Sequence, residues 1–549
     1  MKREVDLLVV GAGAAGMAAA LAGAIEGLDV LVCEKSAQVG GTSATSAGTL
    51  WIPGNTQSRQ AGFNDSADDA GRYLDSLIPG GDKDRLRKAY LETGPRAIDY
   101  FVANSEVKFL AAGMHPDYRA LPGAATAGRA LVPLPFDGRL LGDDFARVRP
   151  PIPEFMVLGG MMVGKPDIPV LTGALGSAKN FIAAGRLVAR YAADRLRFKR
   201  GTRLVMGNAL VARLFYSLRQ RRVPVLFESP LIELIHDSVG VTGAVIGPEK
   251  IAVHARKGVL LATGGLGRNA ELRGRFMPAP VRDRTLTCPS NAGEGVAAAM
   301  QAGAQVRVDG NGGLWTPASA TWHPGGGLFP HLILDRAKPG LVAVDAKGQR
   351  FVNEACSYHD FVEGMFAAGA VPAYLVCEAQ FVRRYGIGVA YPGTRDLGKY
   401  EKLKYLICAD TLDDLARKAG IDAAGLRRTV ARHNGFARTG VDADFHKGEA
   451  TLDRFNGDAA HKPNPCLGTI EHPPFCALKV WPADIGTSNG LATNASAQVL
   501  DGEGRAIPGL YACGNDMASI FRGTYPGPGI TLGPALVFGY LAAMHSKSS

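Results

Sequence analysis

The apolar positions at the start of the chain fall into two strand-length runs with a small-residue helix pattern between them. In "EVDLLVVGAGAAGMAAALAGAIEGLDVLVCEKS", Val5–Val10 predicts a buried strand, and an alanine-rich stretch predicts a helix reaching about residue 26. Leu28–Cys33 predicts a second strand that ends in Glu34. Runs of the same kind recur at "LLATGG" (260–265) and "GLYACGNDMAS" (509–519), each ending in small residues, and "TLGPALVFGY" (531–540) reads as the start of a last helix. Strand, helix and strand in this order predict an α/β fold with a parallel sheet.

Between the first strand and helix, Gly11, Gly13 and Gly16 complete GxGxxG. Gly11 suits the tight turn, Gly13 the approach of backbone to a pyrophosphate, and Gly16 helix–strand packing, while Ala14 and Ala15 open the helix whose positive end meets the phosphates. Glu34 then takes ribose hydroxyls. A lone GxGxxG is weak evidence; with a strand before it, a helix after it and the acid in place, it predicts a Rossmann-like dinucleotide site.

NAD and FAD stay open until "CEKSAQVGGTSATSAG". The pair Glu34–Lys35, followed by a second phosphate-facing turn at Gly41, Thr42 and Ser43 and by Gly48, supplies more than an NAD domain needs. A diphosphate continuing into ribityl and isoalloxazine does need it. Ala262, Thr263 and Gly264 allow close packing beside a dinucleotide, and Asn515 and Asp516 are placed for ribityl hydroxyls. FAD is the expected cofactor, held non-covalently, since no histidine precedes His115.

Composition changes this picture little. The 549 residues are 46% apolar and 20% charged, which is ordinary for a globular chain, and the 70 glycines are spread rather than repeated. The net charge of +10 draws on "RLRFKRGTR" (195–203) and "RQRR" (219–222). No nucleic-acid motif accompanies these runs, so they predict a solvated face or a peripheral contact with an anionic membrane. Eight scattered cysteines without metal-ligand spacing, and no long apolar span, predict a cytoplasmic protein without a metal.

Taken together, these segments resemble the succinate dehydrogenase and fumarate reductase flavoprotein superfamily. Within it, "GGTSATSAGTLWIPGN" (40–55), "GRALVPLPFDGRLLG" (128–142), "MGNALVARL" (206–214), "GQRFVNEACSYHDFV" (348–362) and "YACGNDMASIFRGTYPGPGITLGPALVFGY" (511–540) resemble 3-ketosteroid dehydrogenases, chiefly the Δ1 enzymes. Fumarate reduction is disfavoured: Pro528–Leu532 has no arginine, and "DIGTSNGLATN" (484–494) has no histidine. A dicarboxylate clamp needs positive charge, and hydroxyls and apolar groups are expected instead.

The resemblance implies desaturation beside a ketone, a hydride leaving to flavin N5 and a proton to a base. Such a C–H is acidic enough only if charge on the carbonyl oxygen is stabilised. Tyr525 and the Gly529 amide would polarise that oxygen, with Pro526 and Pro528 stiffening the loop and no side chain on Gly529 to obstruct it. By resemblance, Tyr358 is the proton acceptor, Tyr118 supports it, and the amides of Ala535 and Leu536 face the flavin. His359 and His323 compete as bases, with surface or capping roles favoured for both. Trp315 and Phe329 are alternatives as pocket wall or core; Met161 and Met162, in "VLGGMMVGKPDIPVL" (157–171), are expected to be core.

The expected architecture is an FAD-binding domain formed by 1–280 and 482–549, with an inserted α+β substrate domain over 281–481. The leading activity is 3-ketosteroid desaturation at C1–C2, passing electrons to an unidentified acceptor. The alternatives are a 4-ene-forming reaction on 5α-steroids, desaturation of a smaller cyclic ketone such as an oxocyclohexanecarboxylate, or flavin binding without catalysis.

Overall fold

A computed structural model describes residues 2–78, 85–277, 284–321, 327–332 and 335–549. The first apolar run forms strand β1 (Lys2–Val10), the alanine-rich segment helix α1 (Ala14–Ile25), and the second run strand β2 (Val30–Cys33). Alanine has the highest helix propensity, and its small side chain lets α1 be buried over most of its length.

The sheet grows around β3 (Ile251–Leu261), which pairs in parallel with β1. The first half of β3 also pairs antiparallel with Val241–Ile246, and its last residues pair in parallel with a strand from the far end of the chain. In register, Val10 lies opposite both Cys33 and Leu261, and Leu261 lies opposite Ala512. These parallel strands thus end at one edge, delivering Gly11, Glu34, Ala262 and Cys513 side by side, with Gly514 next after Cys513. Ligands of open α/β sheets bind at this carboxyl edge.

A second sheet carries β4 (Gly313–Ala320), β5 (Ala373–Glu378) and β6 (Phe475–Thr487). The long β6 pairs antiparallel with β4 through one half and with β5 through the other. Helix α2 (Tyr358–Ala368) lies against β4. The strand that returns to the first sheet is β7 (Ala506–Ala512), and the chain closes with helix α3 (Leu532–Ser548), which packs on α1. A Cβ on Gly539 would come within 2.9 Å of the Ala15 carbonyl, so glycine sets that close approach.

Much of the "RFVNEA" segment is structural. Arg350 reaches Glu354 and Asp442, both buried, and Lys447 approaches the same Glu354 at 3.3 Å. Although burial alone would raise the Glu354 carboxyl, these cations hold it far below the carboxylate range. The basic runs are partly absorbed in the same way: Arg200 bonds Asn208 and the Val148 carbonyl, and Arg203 pairs with Asp167.

Candidate active site

At the carboxyl edge of the first sheet lies a continuous cavity of about 410 Å³. One end is the dinucleotide cradle. Gly11 sits at φ +105°, where a Cβ would collide with the Ala262 carbonyl, and a Cβ on Gly16 would collide with the Gly11 carbonyl. Gly13 and Gly41 serve differently: the first has only Ser43 Oγ at 4.0 Å, and the second has nothing within 4 Å. Open backbone at both turns leaves room for a diphosphate.

The Glu34 carboxylate accepts from the Ala12 amide at 2.9 Å and the Ser36 amide at 2.8 Å, which fixes it at the cavity wall. Lys35 is paired with Glu294. Thr42 Oγ1 accepts from the Cys288 amide and Asn291 Nδ2, and Ser43 Oγ accepts from the Ala14 amide. Ala15, Gly48, Ala262, Thr263, Gly264, Asn515 and Ala535 also line the cavity.

Three expected cofactor residues do not line it: Gly16, Asp516 and Leu536. Gly16 is a packing residue, as its role requires. The Asp516 carboxylate is instead consumed by the protein, accepting from the Thr263 amide at 2.5 Å, Thr263 Oγ1 at 2.9 Å and the Gly265 amide at 2.7 Å. Burial pushes its carboxyl above the usual range, against the pull of those donors. Asp516 therefore shapes the turn that presents Thr263 and Gly264.

Tyr118, Tyr358 and Tyr525 meet at the other end, all buried. Tyr118 Oη donates to Tyr358 Oη at 3.1 Å. The Tyr525 ring stacks on Tyr118 at 5.5 Å and meets Tyr358 edge-on at 5.0 Å. Tyr358 is the first residue of α2, whose cap Ser357 accepts from the Asp360 amide. Asp360 then forks onto Arg119, at 2.6 and 3.2 Å, so the residues beside Tyr118 and Tyr358 are tied together.

Burial raises all three phenols: Tyr525 to about 12, and Tyr118 and Tyr358 well above the usual value, with neighbouring phenols adding to the rise.

The loop from Tyr525 to Gly529 is held from several sides. The Pro526 carbonyl accepts from Tyr73 Oη at 2.7 Å and the Tyr118 amide at 2.8 Å, and the Gly529 carbonyl accepts from the Trp51 amide. Trp51 Nε1 donates to Asp117, which also takes a charge-assisted bond from the buried Arg129. The Gly529 N–H, on the cavity wall, donates to no described residue.

One expectation about Gly529 changes. Its φ is +96°, and an added Cβ would meet the Thr49 carbonyl at 2.5 Å and Leu50 at 2.7 Å. Glycine is required by the neighbouring backbone rather than by an approaching ligand.

His359 is buried, not at the surface. Its Nδ1 accepts from the Trp315 amide at 3.2 Å, and burial lowers it to about 4, so it is neutral and its outward proton is on Nε2. His323 lies outside the described residues. Trp315, buried against Phe366, and Phe329 are not cavity wall. Met161 and Met162 are buried away from the cavity, as expected of core.

Residues that the sequence did not single out complete the wall: Asn291 and Glu294 at the dinucleotide end, and His115, Lys165, Phe155 and Phe455 near the tyrosines. Lys165 falls within the 157–171 segment, of which the sequence singled out only Met161 and Met162.

A family model described as FAD binding domain matches residues 6–532. The chain is 35% identical to 3-oxosteroid 1-dehydrogenase of Mycolicibacterium smegmatis, over 99% of this chain and 97% of the relative. The crystal structure of 3-ketosteroid delta1-dehydrogenase from Sterolibacterium denitrificans, in complex with 1,4-androstadiene-3,17-dione, matches with a TM-score of 0.92 at 37% identity, covering 100% of both chains. The chain belongs to the 3-ketosteroid Δ1-dehydrogenase family of FAD-binding flavoproteins.

As a member of that family the chain is an FAD-dependent oxidoreductase acting on CH–CH groups, and the open glycine turns beside Glu34 fit the cofactor. A further family relative, 40% identical over 98% of this chain and 92% of its own length, is the 4-oxocyclohex-2-ene-1-carboxylate 5-dehydrogenase of Sinomonas cyclohexanicum.

Proposed function

We propose that the chain dehydrogenates a ring ketone at the bond adjacent to its carbonyl, as in 3-ketosteroid desaturation at C1–C2. The observation that carries this reading is the tyrosine cluster: Tyr118 and Tyr358 in hydroxyl contact, and Tyr525 against both, beside the free Gly529 N–H.

The substrate carbonyl would accept from Tyr525 Oη and the Gly529 amide. Two fixed donors stabilise an oxyanion without reorganising, and the loop bonds to Pro526 and Gly529 supply that rigidity. Negative charge on this oxygen acidifies the neighbouring C–H, whose proton passes to Tyr358. Tyr358 takes that proton as the phenolate and becomes a neutral phenol; Tyr118, donating to Tyr358, stabilises the phenolate before the transfer. Bound FAD supplies the acceptor for the hydride from the adjacent carbon. Gly13, Gly41, Thr42 and Ser43 would hold its diphosphate, Glu34 a ribose, and Ala535 with the first turn of α3 its ring edge, where the positive helix end favours negative charge.

The domain division is part of this reading. The return of β7 to the first sheet supports an FAD-binding domain built from both ends of the chain, with β6 (Phe475–Thr487) spanning the junction near residue 482. Among the described residues no helix is long and apolar enough to cross a membrane. Exposed Leu175, Phe181, Ile182 and Leu196, interspersed with Lys179, Arg186 and Arg197, support a peripheral contact with an anionic membrane face. Retention on anionic but not zwitterionic vesicles tests that contact.

A second reading of the substrate, a monocyclic oxo-acid, is favoured by the likeness to the Sinomonas enzyme. Anaerobic mixing of the holoenzyme with saturated and 4-ene 3-ketosteroids and with monocyclic ketones, followed at the flavin band, tests the function. Bleaching by ring ketones is expected; a flavin that none of them reduces contradicts it.

A further inference from the structure

The tyrosine end of the cavity is walled by apolar side chains, among them Ile152, Phe155 and Phe455, with a cation at its rim. Lys165 Nζ stands 4.6 Å above the Phe455 ring, and the His115 ring lies 5.9 Å from the same phenylalanine. The other charged groups on the wall are engaged: Lys35 with Glu294, and Glu34 with two backbone amides. Lys165 has no carboxylate partner among the described residues. Nor does His115 Nδ1 have a hydrogen-bond partner among them. Burial and the nearby Lys165 charge hold this imidazole at about 4, hence neutral.

An ammonium resting on an aromatic face is held by the negative face of the ring, and its natural complement beside an apolar pocket is an anion. A ketone without charge offers it nothing. We propose that Lys165 and His115 receive a carboxylate carried by the ring-ketone substrate, which makes the site selective for oxo-acids over neutral ketones. This rests on the ring-ketone reading above.

The spacing lets one substrate reach both groups. His115 and Tyr118 share one segment, pinned by the bonds His115 N to Thr126 O, Asp117 N to Ala125 O and Tyr118 N to Pro526 O. Three residues span at most about 11 Å of backbone, and Tyr118 stacks on Tyr525, so an anion beside His115 and a carbonyl beside Tyr525 can belong to one substrate in the same cavity. A carboxylate on the ketone ring, or on a short side chain of a larger skeleton, has the required chemistry.

The test compares kcat/KM of the holoenzyme for 4-oxocyclohexanecarboxylate and for its methyl ester, and likewise for a 3-ketosteroid with a carboxylate side chain and its ester. In Lys165→Met the acid-to-ester ratio should fall about 10- to 100-fold for the true substrate class, the worth of a charged hydrogen bond, and Lys165→Arg should restore most of it. Whichever acid loses its advantage identifies the skeleton. Binding of cyclohexanecarboxylate, which has no ketone, should weaken in parallel when followed by perturbation of the flavin spectrum. An acid-to-ester ratio equal in wild type and Lys165→Met for both pairs overturns the proposal while leaving the ring-ketone reading intact. Flavin that no acid, ester or neutral ring ketone reduces overturns both.

Discussion

The hydroxyls of Tyr118 and Tyr358 lie 3.1 Å apart although 240 residues separate them in the chain. The Arg119–Asp360 fork beside them holds the two segments in register. Such a pair can pass a proton only if Tyr358 keeps its hydroxyl. Tyr358→Phe should retain FAD and ligand binding yet lose flavin reduction by about 10²–10⁴, the range of general acid–base catalysis. Tyr118→Phe should lose less. Stopped-flow reduction checks both; near-normal reduction in Tyr358→Phe places the base elsewhere.

The pH profile follows from the same burial. An ordinary phenol titrates near 10, and Tyr358 is pushed well above that. Its deprotonated fraction therefore grows steadily as pH rises toward its own value. Tyr525, at about 12, keeps its proton and remains a donor meanwhile. Flavin reduction should accelerate between about pH 7 and 10, and Tyr358→Phe should abolish that rise. A flat wild-type profile would count against a phenolic base.

Asp117 supports the loop from beneath. It accepts from Trp51 Nε1 at 2.8 Å and from Arg129 at 2.5 Å, and the Arg129 side chain is 1% exposed. Removing one partner of a buried ion pair leaves a charge uncompensated and costs about 3–5 kcal/mol; Asp65, the second acid on Arg129, should keep the loss toward the lower value. Thermal unfolding of Asp117→Ala should show a clear loss of stability. An unchanged transition would mean that the network is not what steadies Tyr118 and Pro526.

Cofactor attachment is a separate expectation. Among the described residues no histidine lines the dinucleotide end, and His115 stands with Phe455 at the opposite one. Acid precipitation of the yellow protein should leave FAD in the supernatant; flavin retained on the polypeptide contradicts non-covalent binding.

What was legible in the sequence was local. The turns at Gly11–Gly16 and Gly40–Ser43, the acid Glu34 and the rigid "TYPGPG" each signal themselves through neighbours a few residues away. What depended on long-range packing was not. Asp516 looks like a ribityl ligand beside Asn515, but β7 returns next to β3 and turns its carboxylate onto Thr263. Gly529 looks like room for a ligand, but the Thr49–Leu50 backbone occupies that space. Lys165 is 47 residues from Tyr118 in the chain, and nothing local marks it as a partner of the same cavity.

In the proposed mechanism Tyr525 and the Gly529 amide bear on the carbonyl oxygen. Their contribution should grow as charge develops there, so Tyr525→Phe should depress flavin reduction far more than ligand affinity, by about 10²–10³ for one such donor. Enolisation uses the same donors and needs no hydride transfer. The most direct measurement is therefore enzyme-dependent exchange of the ketone's α-hydrogens with solvent deuterium, followed by mass spectrometry with the flavin held reduced. Exchange should be markedly slower in Tyr525→Phe than in wild type. Equal exchange rates, each dependent on enzyme, would show that the loop only covers the cofactor.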